Sequence, residues 1–135
     1  MRLVTLALSA AAFVLALIAL IVAIAGGSGG KDVQYVVYLG TTDKDSGEMA
    51  MTRQEAHRMA EEVLLRYFGG YTIQEADGGW VDDGTVYQEF TLVIYLSDTT
   101  LRQVHAAAQE LIGAFNQSSV LIQQNRTVTE FYSGT

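Results

Sequence analysis

The chain has 135 residues, enough for one domain, and it contains neither cysteine nor proline. The absence of cysteine excludes disulfides, thiolate metal ligands and a cysteine nucleophile. Fifteen acidic and seven basic residues follow position 2, which gives this part of the chain a net charge of about −8. Such a surface repels phosphate groups, so we expect no nucleic-acid partner.

Residues 1–25 are apolar, and Arg2, Thr5 and Ser9 are the only polar or charged side chains among them. The uncharged stretch of 23 residues behind Arg2 is long enough, at 1.5 Å per residue, to cross a hydrocarbon core of about 30 Å. Its length favours an uncleaved transmembrane signal-anchor over a cleaved signal peptide. In both cases we expect the rest of the chain on the extracytoplasmic side, in the periplasm or at the cell exterior. It is secreted if the segment is cleaved.

A Gly/Ser-rich linker over residues 26–31 connects this segment to a folded domain over residues 32–135. Four runs rich in β-branched and aromatic residues predict strands. They cover residues 33–39, 71–76, 86–96 and 119–124, and the last continues to position 132 in one interpretation. Asp77-Gly78-Gly79 predicts a bulge or turn, and Asp82-Asp83-Gly84 predicts a hairpin turn between the second and third strands.

In the two segments between these strands, the spacing of the apolar residues predicts helices. Thr52 and Glu55 fit a capping box in front of the first helix. Gly69-Gly70 follows its apolar stripe and is predicted to end the helix as a glycine cap. Thr100 caps the second helix, with Gln103 in position to complete another box.

The order β-α-β-β-α-β, with two right-handed crossovers joined by a hairpin, predicts a ferredoxin-like α+β fold. In this fold, four antiparallel strands form a sheet and both helices cover one of its faces. The other face must be solvated or covered by a second copy. Strand alternation places Tyr38, Tyr87 and Tyr95 on that uncovered face.

Several pieces of the domain occur in a characteristic order. They are a strand ending in Tyr38-Leu39-Gly40, the helix opened by Thr52, Phe68-Gly69-Gly70-Tyr71-Thr72, Gly79-Trp80, the Glu89 strand, and Phe115-Asn116-Gln117-Ser118-Ser119-Val120 before a last strand ending at Phe131. This order resembles the DUF3574 family of small exported bacterial proteins of unknown function. The chain departs from the family pattern in having no proline before Phe68 and no cysteine near the last strand. The resemblance implies an exported single domain, and it supplies no activity or catalytic residues.

Glu75 and Glu89 are the only catalytic candidates, because they lie on the paired strands of the predicted hairpin. If both face the same side of the sheet, they are close enough to act as general acid and general base. Alternation on an exposed sheet face explains the same two residues without any chemistry. The sequence therefore leaves enzymatic activity open and favours a role without catalysis.

Trp80 is the only tryptophan, and Tyr71, Tyr87 and Phe90 are expected to lie near it. Such a cluster either lines a ligand pocket or closes the edge of the core, and the second arrangement is the more common one for aromatic residues of a hairpin. The candidate ligand or interface residues of the chain are Tyr38, Trp80, Tyr87 and Tyr95.

No pattern in the chain predicts a metal or cofactor site. His57 and His105 are the only histidines, and neither has the additional ligands that a metal site needs. Two groups of loop carboxylates are candidate calcium ligands: Asp43, Asp45 and Glu48 in the first loop, and Asp77, Asp82 and Asp83 around the hairpin. The calcium-loop pattern is missing, and aspartate beside glycine is typical of turns.

Three hypotheses on function follow. The first is a membrane-tethered extracytoplasmic binding or protein-interaction module that forms a homodimer through the uncovered sheet face. The second is a small enzyme or ligand-binding protein with a cleft beside the central hairpin. The third is an accessory subunit of a membrane complex, with a membrane-protein partner.

Overall fold

A computed structural model describes residues 32–135, so the predicted signal-anchor and linker lie outside the described residues. Six elements occur in the predicted order: β1 (Val33–Gly40), α1 (Arg53–Tyr67), β2 (Thr72–Asp82), β3 (Thr85–Leu96), α2 (Leu101–Ala114) and β4 (Leu121–Arg126). Within this described part, no helix is long and apolar enough to cross a membrane.

The four strands form one sheet in the order β2-β3-β1-β4, and every neighbouring pair is antiparallel. Both helices pack on the same face of this sheet, as the composition of the core shows. The architecture is the predicted ferredoxin-like α+β fold. β1 and β3 occupy the centre, where Val37 pairs with Ile94, and β2 and β4 form the two edges.

The hydrophobic core lies between the sheet and the helices. The central strands contribute alternate residues to it, namely Val33, Tyr35, Val37 and Leu39 from β1 and Phe90, Leu92, Ile94 and Leu96 from β3. Fully burying one such side chain contributes about 1.5–3 kcal/mol. Alanines at 56, 60 and 107 are buried where the helices contact the sheet and each other, and they allow close approach. Among the residues that the structure describes, the buried members of this core lie between positions 33 and 115.

The start of α1 confirms the predicted capping box. The Thr52 hydroxyl accepts the backbone N–H of Glu55 at 3.1 Å, and the Glu55 carboxylate accepts the backbone N–H of Thr52 at 2.8 Å. The end of the helix differs from the prediction, because the cap residue is Phe68 in an extended conformation. Phe68 is buried in the core, and neither Gly69 nor Gly70 adopts a positive φ.

The predicted interruption of β2 at Asp77-Gly78-Gly79 is wrong. β2 runs without a break from Thr72 to Asp82 and pairs residue by residue with β3. The hairpin turn itself is confirmed, with Asp83 and Gly84 both at positive φ (44° and 75°), as a two-residue type I′ turn requires. The extension of β4 to position 132 is not observed, because β4 ends at Arg126.

Candidate functional site

The sheet face opposite the helices is formed by alternate residues of all four strands, and we call it the open face. Its members are Gln34, Val36, Tyr38 and Gly40 of β1, Thr72, Gln74, Ala76, Gly78, Trp80 and Asp82 of β2, Thr85, Tyr87, Glu89, Thr91, Val93 and Tyr95 of β3, and Leu121, Gln123 and Asn125 of β4. In the described part of the chain, none of these residues belongs to the core under the helices. The register thus places the four candidate residues Tyr38, Trp80, Tyr87 and Tyr95 on one face.

Two tyrosines of the open face are fixed by glutamines of neighbouring strands. The Tyr38 hydroxyl donates to Gln123 Oε1 at 3.2 Å, and the Tyr95 hydroxyl donates to Gln74 Oε1 at 3.0 Å. Each glutamine retains its NH₂ donors for other contacts. These glutamines could not be predicted as functional residues from the sequence, because the contact of a polar residue on a strand face depends on its cross-strand partner.

Two valines lie beneath the polar groups of the open face. Val36 is 3% exposed and Val93 is 5% exposed. Their register neighbours include Tyr38, Tyr95 and Gln123, which are long enough to cover them. Val36 is therefore buried without a second copy. What a partner would contact is the layer of tyrosine and glutamine side chains above the valines.

Residues 77–82 and 85–90 form a two-stranded ribbon that extends past the end of β1, and we call it the hairpin arm. β3 pairs with β1 only as far as Thr91, so the arm has no third strand beside it. A two-stranded hairpin alone has little stability in water. Arg53 of α1 supports its base, with its guanidinium 4.5 Å from the centre of the Phe90 ring and 3.7 Å from Asp77.

The hairpin arm exposes apolar side chains on both of its faces. Trp80 and Tyr87 stack on the open-face side with ring centres 4.3 Å apart, and they are 50% and 43% exposed. On the reverse side, Val81 and Val86 pair with each other and are each 67% exposed. Of the predicted cluster of Trp80 with Tyr71, Tyr87 and Phe90, the contact with Tyr87 is observed, but the prediction that Trp80 closes the edge of the core is wrong.

Glu75 and Glu89 do not form the acid–base couple that the sequence allowed. Glu75 pairs with Leu92 and so faces the helix side, in an open groove with Arg53 and His57, whereas Glu89 belongs to the open face. The Glu89 carboxylate accepts the backbone N–H of Thr42 at 3.1 Å. It lies directly over Gly40, where an added Cβ would come within 2.5 Å of its Oε1. Glu89 is thus bonded to the first loop and lies on the opposite side of the sheet from Glu75.

The loop carboxylates Asp43 and Asp45 hold a turn and join two loops. Asp43 Oδ1 accepts the backbone N–H groups of Asp45 at 2.8 Å and Ser46 at 3.0 Å. The side-chain amide of Asn116 donates to Asp43 at 2.9 Å and to Asp45 at 2.8 Å. Among residues 32–135, no group of three or more metal-binding side chains is present.

A cleft of about 520 Å³ opens at the opposite end of the sheet from the hairpin arm. It is formed by five separate segments: the start of β1, residues 67–72, the end of β3, residues 97–103 and the C-terminal tail. Aromatic side chains line much of it, namely Tyr67, Phe68, Tyr71, Tyr95 and Phe131. Sequence reasoning did not find this cleft, although the Phe68-Gly69-Gly70-Tyr71-Thr72 segment that carries the family resemblance forms one wall.

Two of the cleft tyrosines are hydrogen-bonded to glutamates. The Tyr67 hydroxyl donates to Glu110, and the Tyr71 hydroxyl donates to Glu61. These bonds to carboxylates raise the pKa of both tyrosines. Arg66 binds Glu110 at 2.5 Å, and this contact and the Tyr67 hydroxyl lower the pKa of Glu110.

The sequence of the chain matches the family described as "Protein of unknown function (DUF3574)" over residues 34–131. The chain belongs to this family, and the predicted resemblance is confirmed. No curated protein matches the chain.

Solved structures with a similar fold include a phage SAM lyase in complex with S-methyl-5'-thioadenosine. It is 19% identical, with a TM-score of 0.57 over 77% of this chain and 89% of that chain. The phage SAM lyase in its apo state is also 19% identical, with a TM-score of 0.52 over 78% and 90%. CutA from Synechococcus elongatus is 14% identical, with a TM-score of 0.47 over 71% and 76%. At such identities the likeness to the lyase shows the fold alone.

Proposed function

We propose that this protein is a membrane-tethered, extracytoplasmic interaction module that forms a homodimer through its open face and hairpin arm. The observation that carries the proposal is the composition of the open face. It joins four exposed or partly exposed aromatic side chains with neutral amides and hydroxyls, in a chain whose formal net charge is −7. Protein interfaces are enriched in tyrosine and tryptophan and poor in charged residues at their centres.

The distribution of charge favours a second copy as the partner. The open face carries only two charged residues, Glu89 and Asp82, and Asp82 lies at the tip of the hairpin arm. The remaining thirteen acidic residues lie elsewhere, so most other surfaces of two copies repel each other. Amides and hydroxyls both donate and accept hydrogen bonds, so a neutral face of this kind is complementary to itself in a two-fold dimer.

The hairpin arm gives a second reason for a partner. Its apolar side chains on both faces, Trp80 and Tyr87 on one and Val81 and Val86 on the other, have no covering layer in the described domain. A second copy that packs against the arm would bury these side chains and stabilise a ribbon that lacks a third strand. The arm is thus the part of the proposed interface that a dimer would stabilise most.

The tether rests on residues 1–25, which are long and apolar enough to hold the domain at the outer surface of a membrane. The Gly/Ser linker that follows would leave the open face free to meet a second copy. Anchoring both copies in one membrane raises their effective concentration, so even a weak interface would be occupied.

The test is the oligomeric state of the full chain in a mild nonionic detergent and of residues 32–135 without detergent, which contain the core between the sheet and the helices. We expect a dimer by native mass spectrometry and sedimentation. The double variant Trp80→Ala/Tyr87→Ala removes the exposed aromatic pair of the arm. It should weaken the dimer by about tenfold or more, because buried aromatic residues dominate interface energies.

Leu65→Ala is the matched control, because Leu65 is an apolar residue of α1 that is 65% exposed and lies away from the open face. It should leave the dimer unchanged. A monomeric wild-type protein, or equal dimer fractions in the arm variant and the control, would overturn the proposal. A monomer that co-purifies with a different membrane protein would instead support an accessory subunit.

A further inference from the structure

The aromatic cleft at the other end of the sheet has the volume of a small-molecule site. Its volume of about 520 Å³ falls within the range of ligand pockets, about 300–1,000 Å³. Phe68 is a buried wall, only 7% exposed, whereas Phe131 belongs to the tail and is 73% exposed. The cleft therefore combines a fixed aromatic wall with an aromatic side chain that a ligand can cover.

Among residues 32–135, the only charged residue that lines the cleft is acidic. No lysine, arginine or histidine occurs among its lining residues in the described part of the chain, and Asp98 is the only charged one. A phosphate or carboxylate ligand would find no positive partner there. The overall acidic surface adds a negative potential, which attracts cations.

The two tyrosines bonded to glutamates strengthen this preference. A phenol that donates to a carboxylate is polarised, so the face of its ring becomes more negative. Tyr71 is the clearer case, since its partner Glu61 takes part in no salt bridge within residues 32–135. Glu110, behind Tyr67, is partly balanced by Arg66.

We propose that this cleft binds a small organic cation, such as an alkylated ammonium group, among its aromatic lining residues Tyr71, Phe68 and Phe131, with Asp98 as the counter-charge. Aromatic rings around a quaternary ammonium recognise it through cation–π attraction. The free cation is the ligand rather than a phospholipid headgroup, because a headgroup adds a phosphate for which the lining offers no basic residue.

Choline is a suitable probe, with its uncharged carbon isostere as the control ligand. In calorimetric titrations of the full chain in a nonionic detergent, we expect saturable binding of choline at one site. The isostere should bind about tenfold more weakly, since it keeps the shape and loses the charge. Phosphocholine should also bind more weakly than choline.

Three variants test the residues named. Phe131→Ala should weaken choline binding several-fold without affecting folding, because Phe131 is in the exposed tail. Tyr71→Phe keeps the ring and loses the bond to Glu61, so it should weaken binding less than Tyr71→Leu. Leu65→Ala, on an exposed position of α1 outside both the cleft and the open face, should leave the affinity unchanged.

Equal affinities for choline and its isostere, or no saturable heat with choline, would overturn the proposal. So would tighter binding of phosphocholine, or unchanged affinity in Phe131→Ala. The dimer test changes Trp80 and Tyr87, which do not line the cleft. A failure of one proposal is therefore distinguishable from a failure of the other.

Discussion

Asp43 shows how one side chain connects distant parts of this domain. It accepts hydrogen bonds from the backbone of Ser46, the side chain of Asn116 and the backbone of Asp45, and these lower its pKa from 3.8 to about 2. Each bond favours the ionised carboxylate. The loop after β1 is thereby held against the loop after α2, where Asn116 adopts a positive φ of 48°.

The lowered pKa of Asp43 predicts how stability depends on pH. Because the folded pKa lies below the ordinary value, the stabilisation is fully present above about pH 4 and is lost as the pH falls towards 2. Asp43→Ala should lower the midpoint of urea unfolding at neutral pH and flatten its pH dependence between those two values. Glu130→Gln, in the exposed tail, should retain the wild-type profile. Parallel profiles for wild type and Asp43→Ala would contradict this explanation.

The two helices begin with caps of different completeness. At α1, Thr52 and Glu55 exchange both hydrogen bonds of a capping box. At α2, the Thr100 hydroxyl accepts the backbone N–H of Gln103 at 3.3 Å, but the Gln103 side chain accepts from the hydroxyls of Thr99 and Thr100 instead of the cap backbone. The predicted box is therefore complete at α1 and half formed at α2.

This difference predicts unequal costs for removing the two caps. Thr52→Ala should reduce the free energy of unfolding by about 1 kcal/mol, within the usual range for an N-cap. Thr100→Ala should reduce it less, because it removes the longer of the two side-chain-to-backbone bonds. Urea denaturation of both variants measures the comparison. A larger loss for Thr100→Ala would show that cap geometry does not set these costs.

At the scale of the whole molecule, the sheet separates two kinds of site. One end carries the hairpin arm, with its stacked Trp80 and Tyr87, and the other end carries the aromatic cleft. The open face between them is nearly free of charge, whereas the rest of the domain is acidic. The proposed association of two copies would therefore bring neutral faces together while their net charges repel.

This arrangement predicts the effect of salt on the proposed dimer. Raising the ionic strength from about 50 to about 500 mM should tighten the dimer modestly, because salt screens the repulsion between two acidic domains. Sedimentation equilibrium at several salt concentrations measures the effect. A dimer that weakens with salt would point to an interface held by ion pairs, contrary to the neutral composition of the open face.

The order and type of the elements could be predicted because they depend on local patterns. The apolar stripe behind Thr52, the turn at Asp83-Gly84 and the alternation along β3 are each contained within a few residues. The same locality explains the error at Asp77-Gly78-Gly79. These residues favour a turn by themselves, but pairing with Phe90, Glu89 and Gln88 keeps them extended.

The sequence by itself determined the fold class, the acidic charge and the presence of aromatic residues on one sheet face, since periodicity and composition suffice for these. Only the tertiary structure decided that Glu75 and Glu89 face opposite sides, because this depends on the register between β2 and β3. The exposure of Trp80 and the aromatic cleft were likewise settled by long-range packing. The cleft is formed by segments that are spread along the sequence from Gln34 to Phe131. No local sequence pattern indicates that these segments contact each other in the fold.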